Sequence, residues 1–325
     1  MEYFIIVNPT AGGNNGRKIW PQIEQYLKKK NISYRAYFTE YDGHAVSIAM
    51  RILDQITATN HPDAIIIATG GDGTLHETIL GCMRFYAEHP QIKVPRVPVG
   101  LLPIGSGNDF ARALKIPRHW KKALHDIFEC QVPTKIHIGH FINHDLSTDG
   151  YFLNNFGIGL DATVVYLANH SLLKHHKQFS GFSYWVSVLH AIQTVQPFEL
   201  TVTHPNGTVH TYSKAFLVTA TNHPYFGGGI DIAPRASVYK EQLDLVIVEK
   251  PTYRQILLFI FMLLLKRHLH LRFVHHFSET HFELKTKKAR YGQIDGEELG
   301  HKTYNASYET KDYPFWIKKT DNSQL

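Results

Sequence analysis

The residues of this chain best suited to chemistry are a carboxylate set among glycines, Gly70-Gly71-Asp72-Gly73-Thr74. Glycines let a ligand come close to the backbone and tolerate φ > 0. A strand–glycine turn–helix unit of this kind aims N–H groups and a helix N-terminus at a phosphate. Asp72 would repel that anion unless a cation lay between them, so the pattern points to phosphate held together with Mg²⁺. The plainer alternative is a tight turn between a strand and a helix. A second loop of similar make-up is Pro103-Ile104-Gly105-Ser106-Gly107-Asn108-Asp109-Phe110, with Ser106 or Asn108 placed to cap the helix that follows.

The elements that must position these loops can be read from the apolar pattern. Ala64–Ala68 is a short β-branched run leading into the first loop, and Leu75, Ile79 and Met83 mark the helix after it. Tyr3–Val7 predicts a first strand, followed by the loop from Asn8 to Gly16 and a helix carrying Ile19, Trp20, Ile23, Tyr26 and Leu27 on one face. Tyr34–Phe38 and Arg96–Leu102 read as strands, and Ala45–Ile56 and Lys121–Phe128 as helices. Alternating strand and helix predicts a mostly parallel sheet, whose carboxyl edge is where ligands bind. Past about residue 131 the pattern turns to β. Strands are expected at His137–Phe141, Tyr151–Phe156, Phe198–His204, Thr208–Ser213, Ala215–Thr221 and Leu243–Glu249, with a hairpin turn at Asn206-Gly207. Helices are expected at Phe182–Thr194 and Tyr253–Arg267.

With 325 residues, 43% of them hydrophobic and 19% charged, the composition is that of a globular protein of two domains. Cys82 and Cys130 form neither a metal spacing nor a disulfide framework, which favours a reducing, cytoplasmic setting. The longest apolar run, Ile256–Leu265, is short of the ~20 residues that span a bilayer. It is apolar nearly all round, which predicts burial, although the Lys266-Arg267-His268 that follows would also suit an interfacial anchor. The net charge of +6 favours anionic partners, but no nucleic-acid motif is present, so nucleic acid is excluded as a partner.

Asn8-Pro9 with Gly12, Gly70-Gly-Asp-Gly-Thr74 with Glu77, Gly105-Ser-Gly-Asn-Asp109 and Ile294-Asp-Gly-Glu297 occur in an order that resembles the bacterial soluble lipid kinases of the diacylglycerol kinase catalytic-domain family. The resemblance covers nearly the whole chain. It implies an α/β nucleotide-binding domain over residues 1–131, rejoined by about 309–325, plus an all-β sandwich-like second domain over 132–308, with the active site in the interdomain cleft. It further implies ATP and Mg²⁺ as cofactors and a lipid hydroxyl, most simply that of diacylglycerol, as acceptor at the membrane surface. The protein would be cytoplasmic, peripherally associated with the inner face of the membrane, and a homodimer by family default. An NAD kinase or other soluble-metabolite kinase, and a catalytically silent nucleotide- or lipid-binding regulator, are the competing readings.

By this resemblance Gly70, Gly71, Gly73 and Thr74 cradle the ATP phosphates, Asn8 braces the neighbouring loop and Asp72 holds Mg²⁺. Gly105, Ser106, Gly107, Asn108 and Asp109 form the second loop, with Asp109 sharing the task of organising the metal. Glu297 is the general base and Asp295 orients it or raises its pKa by like-charge proximity. Glu77 caps or packs at the loop. Two departures stand out. Gly13 occupies a position where relatives place a Lys, leaving Arg17 and Lys18 as the nearest cations and Lys174 or Lys177 as further basic contacts. Lys240-Glu241 replaces an Asp-Gly that binds a structural cation in relatives. Either the Lys240 ammonium takes the cation's place or the loop has lost the site and Lys240 faces solvent. Phe179, Phe182, Tyr184, Trp185, Tyr225 and Phe226 are candidates to line the acyl-chain site.

Overall fold

The computed structural model describes residues 1–59, 63–92, 95–170, 188 and 190–318. The expected helix at Phe182–Thr194, Lys174, Lys177 and the aromatics from Phe179 to Trp185 lie wholly or largely outside the described residues. The chain forms two compact units, Met1–Ile136 with Asp312–Leu325, and His137–Lys311.

In the first unit the elements run β1 (Glu2–Val7), α1 (Ala11–Lys29), β2 (Tyr34–Phe38), α2 (His44–Thr59), β3 (Ala64–Gly70), α3 (Asp72–Glu88), β4 (Val99–Pro103), α4 (Asp109–Ala113) and α5 (Trp120–Glu129). The strands pair in parallel in the order β2-β1-β3-β4, with Ile5 opposite both Ala36 and Ile67. All seven residues of β3 are buried, as a continuous apolar run requires of a central parallel strand. One face packs Tyr3, Ile5, Val7, Ile65 and Ile67 against Trp20, Ile23 and Leu27 of α1 and Leu124 and Ile127 of α5. Gly81 of α3 lies so close to α2 that a Cβ there would stand 2.4 Å from the Val46 carbonyl. The expected strand at Arg96 begins three residues later, because the chain before Val99 is held by side chains. Tyr86 Oη accepts the Val97 N–H and Arg96 donates to the Asp312 carbonyl.

The second unit contains β5 (Thr134–Asn143), β6 (Thr148–Phe152), β7 (Asn155–Gly159), α6 (Leu160–His170), β8 (Phe198–Thr203), β9 (Val209–Thr221), β10 (Tyr225–Phe226), β11 (Ile230–Asp231), β12 (Leu243–Glu249), α7 (Tyr253–Leu264), β13 (Val274–Glu279), β14 (His281–Thr286), β15 (Arg290–Ile294), β16 (Glu297–Lys302) and β17 (Asn305–Phe315). Its pairing is antiparallel throughout, in the order β16-β15-β7-β9-β8-β14-β17 with β12 and β13 attached through β9, giving a β-rich, sandwich-like domain. Phe152, Phe156, Phe198, Phe282, Tyr304 and Tyr308 dominate its core. The chain enters this unit along β5 and leaves it along β17, whose last residue, Phe315, pairs with Val99 of β4.

Three expectations need correction here. Tyr151–Phe156 is not one strand but the end of β6 and the start of β7. Its backbone turns because three successive N–H groups, at Leu153, Asn154 and Asn155, all donate to the Asp295 carboxylate. Thr208–Ser213 and Ala215–Thr221 are instead a single strand, β9, which pairs with β8 along its first half and with β7 and β12 along its second. The apolar stretch from Ile256 is not buried: no residue of α7 is. Lys240 is exposed, and its N–H donates to the Ser237 carbonyl in a turn. This exposure agrees with the solvent-facing alternative for Lys240.

Candidate functional site

In the first unit the carboxyl ends of β1, β3 and β4 bring three loops together. Gly71 and Gly105 meet backbone to backbone: a Cβ on Gly105 would lie 2.4 Å from the Gly71 Cα. The Gly70 carbonyl accepts the N–H groups of Ile104 (2.9 Å) and Gly105 (3.1 Å), locking the second loop onto the first. From the third side Gly12, left-handed at φ 59°, sits where a Cβ would be 2.5 Å from the Ile104 carbonyl. Gly12, Gly13 and Asn14 are all left-handed, so α1 opens on an irregular turn and its regular helix follows that turn. Arg17 and Lys18, the nearest cations in sequence, are exposed.

Asp72 is the centre of this arrangement. Its Oδ2 accepts the Asp109 N–H at 3.0 Å and its Oδ1 the Phe110 N–H at 3.2 Å. A carboxylate at the N-terminus of α3 thus caps the N-terminus of α4, satisfying two N–H groups that begin a helix without partners in it. Asn108, expected as a candidate cap, does not cap. It is left-handed at φ 57°, and its amide donates instead to the Gly105 carbonyl at 2.7 Å. Asp109 is buried and its carboxylate is bonded to Arg112, so its charge is met within α4. Thr74 is buried too; its Oγ1 accepts from the Asn8 amide at 3.0 Å. Asn8 Oδ1 in turn accepts from the N–H and hydroxyl of Thr10. Ser106 and Gly73 are exposed, and a Cβ on Gly73 would meet nothing within 4 Å. The N–H groups of Gly73 and Thr74 precede the first bond inside α3, from Leu75 N to the Gly71 carbonyl. Glu77 does cap a helix, but another one: its two oxygens accept the N–H groups of Gly43 and Ala45 at the start of α2.

The geometry of these loops suits an anion. Backbone N–H groups and the α3 N-terminus supply partial positive charge, and glycines keep the approach open. Among the described residues no three His, Cys, Asp or Glu side chains gather into a metal cage. Mg²⁺ fits without one, since beside nucleotides it is ordinarily held by one or two carboxylates with phosphate oxygens and water. Asp72 is the carboxylate these loops present for that.

In the second unit β15 and β16 are joined by the turn Asp295-Gly296, both residues left-handed at φ 50° and 89°. Asp295 accepts three N–H groups at 2.8–2.9 Å, from Leu153, Asn154 and Asn155. That geometry makes Asp295 the staple between this turn and the β6–β7 bend. Glu297, the first residue of β16, is exposed.

Two residues behind this turn have no counterpart among the sequence expectations. The Gly296 N–H donates to Gln293 Oε1 at 2.8 Å, and Gln293 Nε2 donates to Asp161 Oδ2 at 3.1 Å. Asp161 is fully enclosed in the first turn of α6, and its Oδ1 has no hydrogen-bond partner. Burial pushes its carboxyl up to about 6, while the bonds from Gln293 and the local backbone pull it back. The phenol of Tyr304 is raised by its own burial and then by the Asp161 charge. A signal existed: Asn155-Phe-Gly-Ile-Gly159 followed by Leu160-Asp161 is again a glycine-bearing strand leading into a helix with an acid in its first turn.

The comparisons agree with this two-part construction. A family model described as the diacylglycerol kinase catalytic domain matches residues 2–140, and one described as the YegS C-terminal NAD kinase beta sandwich-like domain matches residues 155–311. A Bacillus subtilis protein named "Putative lipid kinase YtlR" is 31% identical over 305 residues, covering 92% of this chain and 94% of that protein. A Staphylococcus haemolyticus protein named diacylglycerol kinase is 30% identical over 246 residues, 76% of this chain and 67% of its own length. In fold, the chain is similar to the crystal structure of a "putative diacylglycerol kinase" from Bacillus anthracis. The TM-score is 0.69 over 95% of this chain and 94% of that one, at 21% identity.

Proposed function

Because this chain belongs to the diacylglycerol kinase catalytic-domain family and is a lipid kinase, we propose that its acceptor is diacylglycerol and its product phosphatidic acid. The observation that carries the donor half is the Asp72 carboxylate joining two glycine loops at one sheet edge. In this reading the N–H groups at the start of α3 and the backbone from Gly105 to Gly107 receive the ATP phosphates. The side chains of Asn8 and Thr74, bonded to one another, hold the loop's shape. Asp72 would hold Mg²⁺, and the ion would supply charge that offsets the transferring phosphoryl group.

The acceptor half is assigned to the Asp295-Gly296-Glu297 turn. The lipid hydroxyl oxygen forms a bond to the γ-phosphorus as the bond from that phosphorus to the ADP oxygen breaks. The hydroxyl proton passes to the Glu297 carboxylate. Asp295 serves this step by fixing the turn: its three N–H bonds hold it in a left-handed conformation that an Asp tolerates better than most residues.

The test is a transfer assay with labelled ATP and Mg²⁺. The purified chain is offered diacylglycerol in detergent micelles, other hydroxylated lipids and, separately, NAD⁺. Label in phosphatidic acid supports the proposal. Label in another lipid alone moves the acceptor and keeps the kinase, and label in NAD⁺ alone, or ATP bound with no transfer to any acceptor, overturns it.

A further inference from the structure

Helix α7 carries apolar side chains on its outward side, where a helix on a water-facing surface places polar ones. Its inward side is accounted for: Phe259 and Leu263 pack on the cluster around Ile232, Val246 and Val274. The outward side is a stripe at helical spacing, Tyr253, Leu257, Phe261 and Leu264, exposed by 78%, 71%, 59% and 78%. Leu258, Ile260 and Leu265 widen it. The helix is well formed, with a complete capping box between Thr252 and Gln255 at its start. This is a built surface, and contiguous apolar patches of this kind mark interaction sites.

Charge identifies the occupant. From Lys250 to Ser278 the chain holds Lys250, Arg254, Lys266, Arg267 and Arg272 and no Asp or Glu. Arg254 lies in the first turn of α7 and Arg267 just past its end, both exposed, with exposed His270 and Arg272 beyond. Among the described residues, Asp231 and Glu249 on neighbouring elements are engaged: Asp231 of β11 is bonded to Lys266 at 2.7 Å and Glu249 of β12 to His275 at 2.8 Å. An apolar stripe with arginines at both ends matches the boundary of an anionic bilayer, with acyl chains under the stripe and lipid phosphates at the arginines. A second copy of the chain matches less well. A two-fold interface would bring the same arginines face to face with no acid to receive them.

We propose that α7 is the surface by which this protein docks on anionic lipid bilayers, lying in the interface with Tyr253, Leu257, Phe261 and Leu264 inserted and Arg254 and Arg267 on the headgroups. Among the described residues no helix is long and apolar enough to cross a membrane, so this is contact with one leaflet. The proposal deepens the lipid-kinase reading, since it brings the enzyme to the layer in which a diacylglycerol acceptor is dissolved.

Co-sedimentation of the full chain with vesicles, without ATP, tests it. Wild type is expected to bind equimolar phosphatidylcholine–phosphatidylglycerol vesicles far better than phosphatidylcholine alone. Leu257→Gln/Phe261→Gln/Leu264→Gln should lower binding to both by at least roughly tenfold, with the thermal melt unchanged because these side chains are exposed. Arg254→Gln/Arg267→Gln should weaken binding only to the anionic vesicles, by roughly fivefold per arginine at low salt. Wild-type failure to bind anionic vesicles overturns the proposal, as does undiminished binding by the apolar triple variant. So does sedimentation equilibrium showing that the triple variant splits a dimer while vesicle binding persists. The kinase reading fails separately, by absence of transfer to lipid in detergent micelles, where docking is not needed and the triple variant should match wild type.

Discussion

Two aspartates that begin as candidates for the same chemistry, Asp72 in the first unit and Asp295 in the second, turn out to do a similar mechanical task in different ways. Each carboxylate gathers backbone N–H groups from a distant part of the chain: two from Asp109 and Phe110 for Asp72, three from Leu153 to Asn155 for Asp295. Asp72 takes one from each oxygen and caps a helix; Asp295 takes two on one oxygen and one on the other and bends a strand. The helix cap sits among glycines whose backbones touch, where an anion can approach. The strand bend is held from a turn in which Asp295 is followed, two residues on, by Glu297, an exposed carboxylate. A carboxylate in a loop can therefore serve as a chemical group or as the clamp that aims one. The number of N–H groups it already holds helps to tell which.

The contrast can be broken most forcefully at Glu297. Glu297→Gln should lower turnover by about 10²–10⁴-fold with ATP affinity nearly unchanged, as for loss of a general base. Wild-type turnover in that variant would leave the second unit's turn with no chemical group. Asp72→Asn comes next. Its amide nitrogen cannot accept one of the two N–H bonds and the charge beside Mg²⁺ is gone, so transfer should fall about 100-fold and the Mg²⁺ needed for half-maximal rate should rise. A fall with unchanged Mg²⁺ dependence would reduce Asp72 to the clamp that Asp295 is.

Asp295→Ala tests the other side. It leaves three buried donors without an acceptor and puts Ala at φ 50°, so the second unit should lose about 3 kcal/mol or more, a melting shift of about 6–12 °C. Loss of turnover with an unchanged melt would instead make Asp295 a participant in the chemistry.

The smallest effect concerns Asp161 behind the same turn. Its folded pKa of about 6 lies above an ordinary Asp, so the folded state keeps a proton that the unfolded state releases. Its contribution is therefore favourable below about pH 4 and is lost as pH rises to about 6, on the order of 2–3 kcal/mol. Asp161→Asn should remove that slope. Denaturant midpoints of variant and wild type, compared from pH 4 to 7, should diverge in the variant's favour as pH rises, and parallel curves would refute the assignment.

Much of the first unit was legible in the residues. The apolar run of β3 and the helical spacing after Asp72 are local patterns, and local patterns survive reading one chain at a time. The second unit was less legible for equally specific reasons. The break between β6 and β7 depends on an acid 140 residues away, and the merging of two expected strands into β9 depends on which neighbours pair with each half. Asp161 sits in a local strand–glycine–helix pattern, but its place behind Gly296, and that of Gln293, depends on pairing across the sheet. Exposure was misjudged at α7, whose composition alone says only that it avoids water.

By itself the sequence determined the parallel β/α order of the first unit, the glycine loops and the acids within reach of them, because strand and helix periodicity and glycine's permissiveness are properties of neighbouring residues. The tertiary structure alone decided how each acid is used. Asp72, Glu77 and Asp295 each became a cap for N–H groups, and Asp109 the partner of Arg112. It also decided that α7 faces outward with its apolar stripe uncovered. The physical reason is the same in each case. A carboxylate's partners and a side chain's exposure are set by what folds against them, and that is a long-range property that no short run of residues contains.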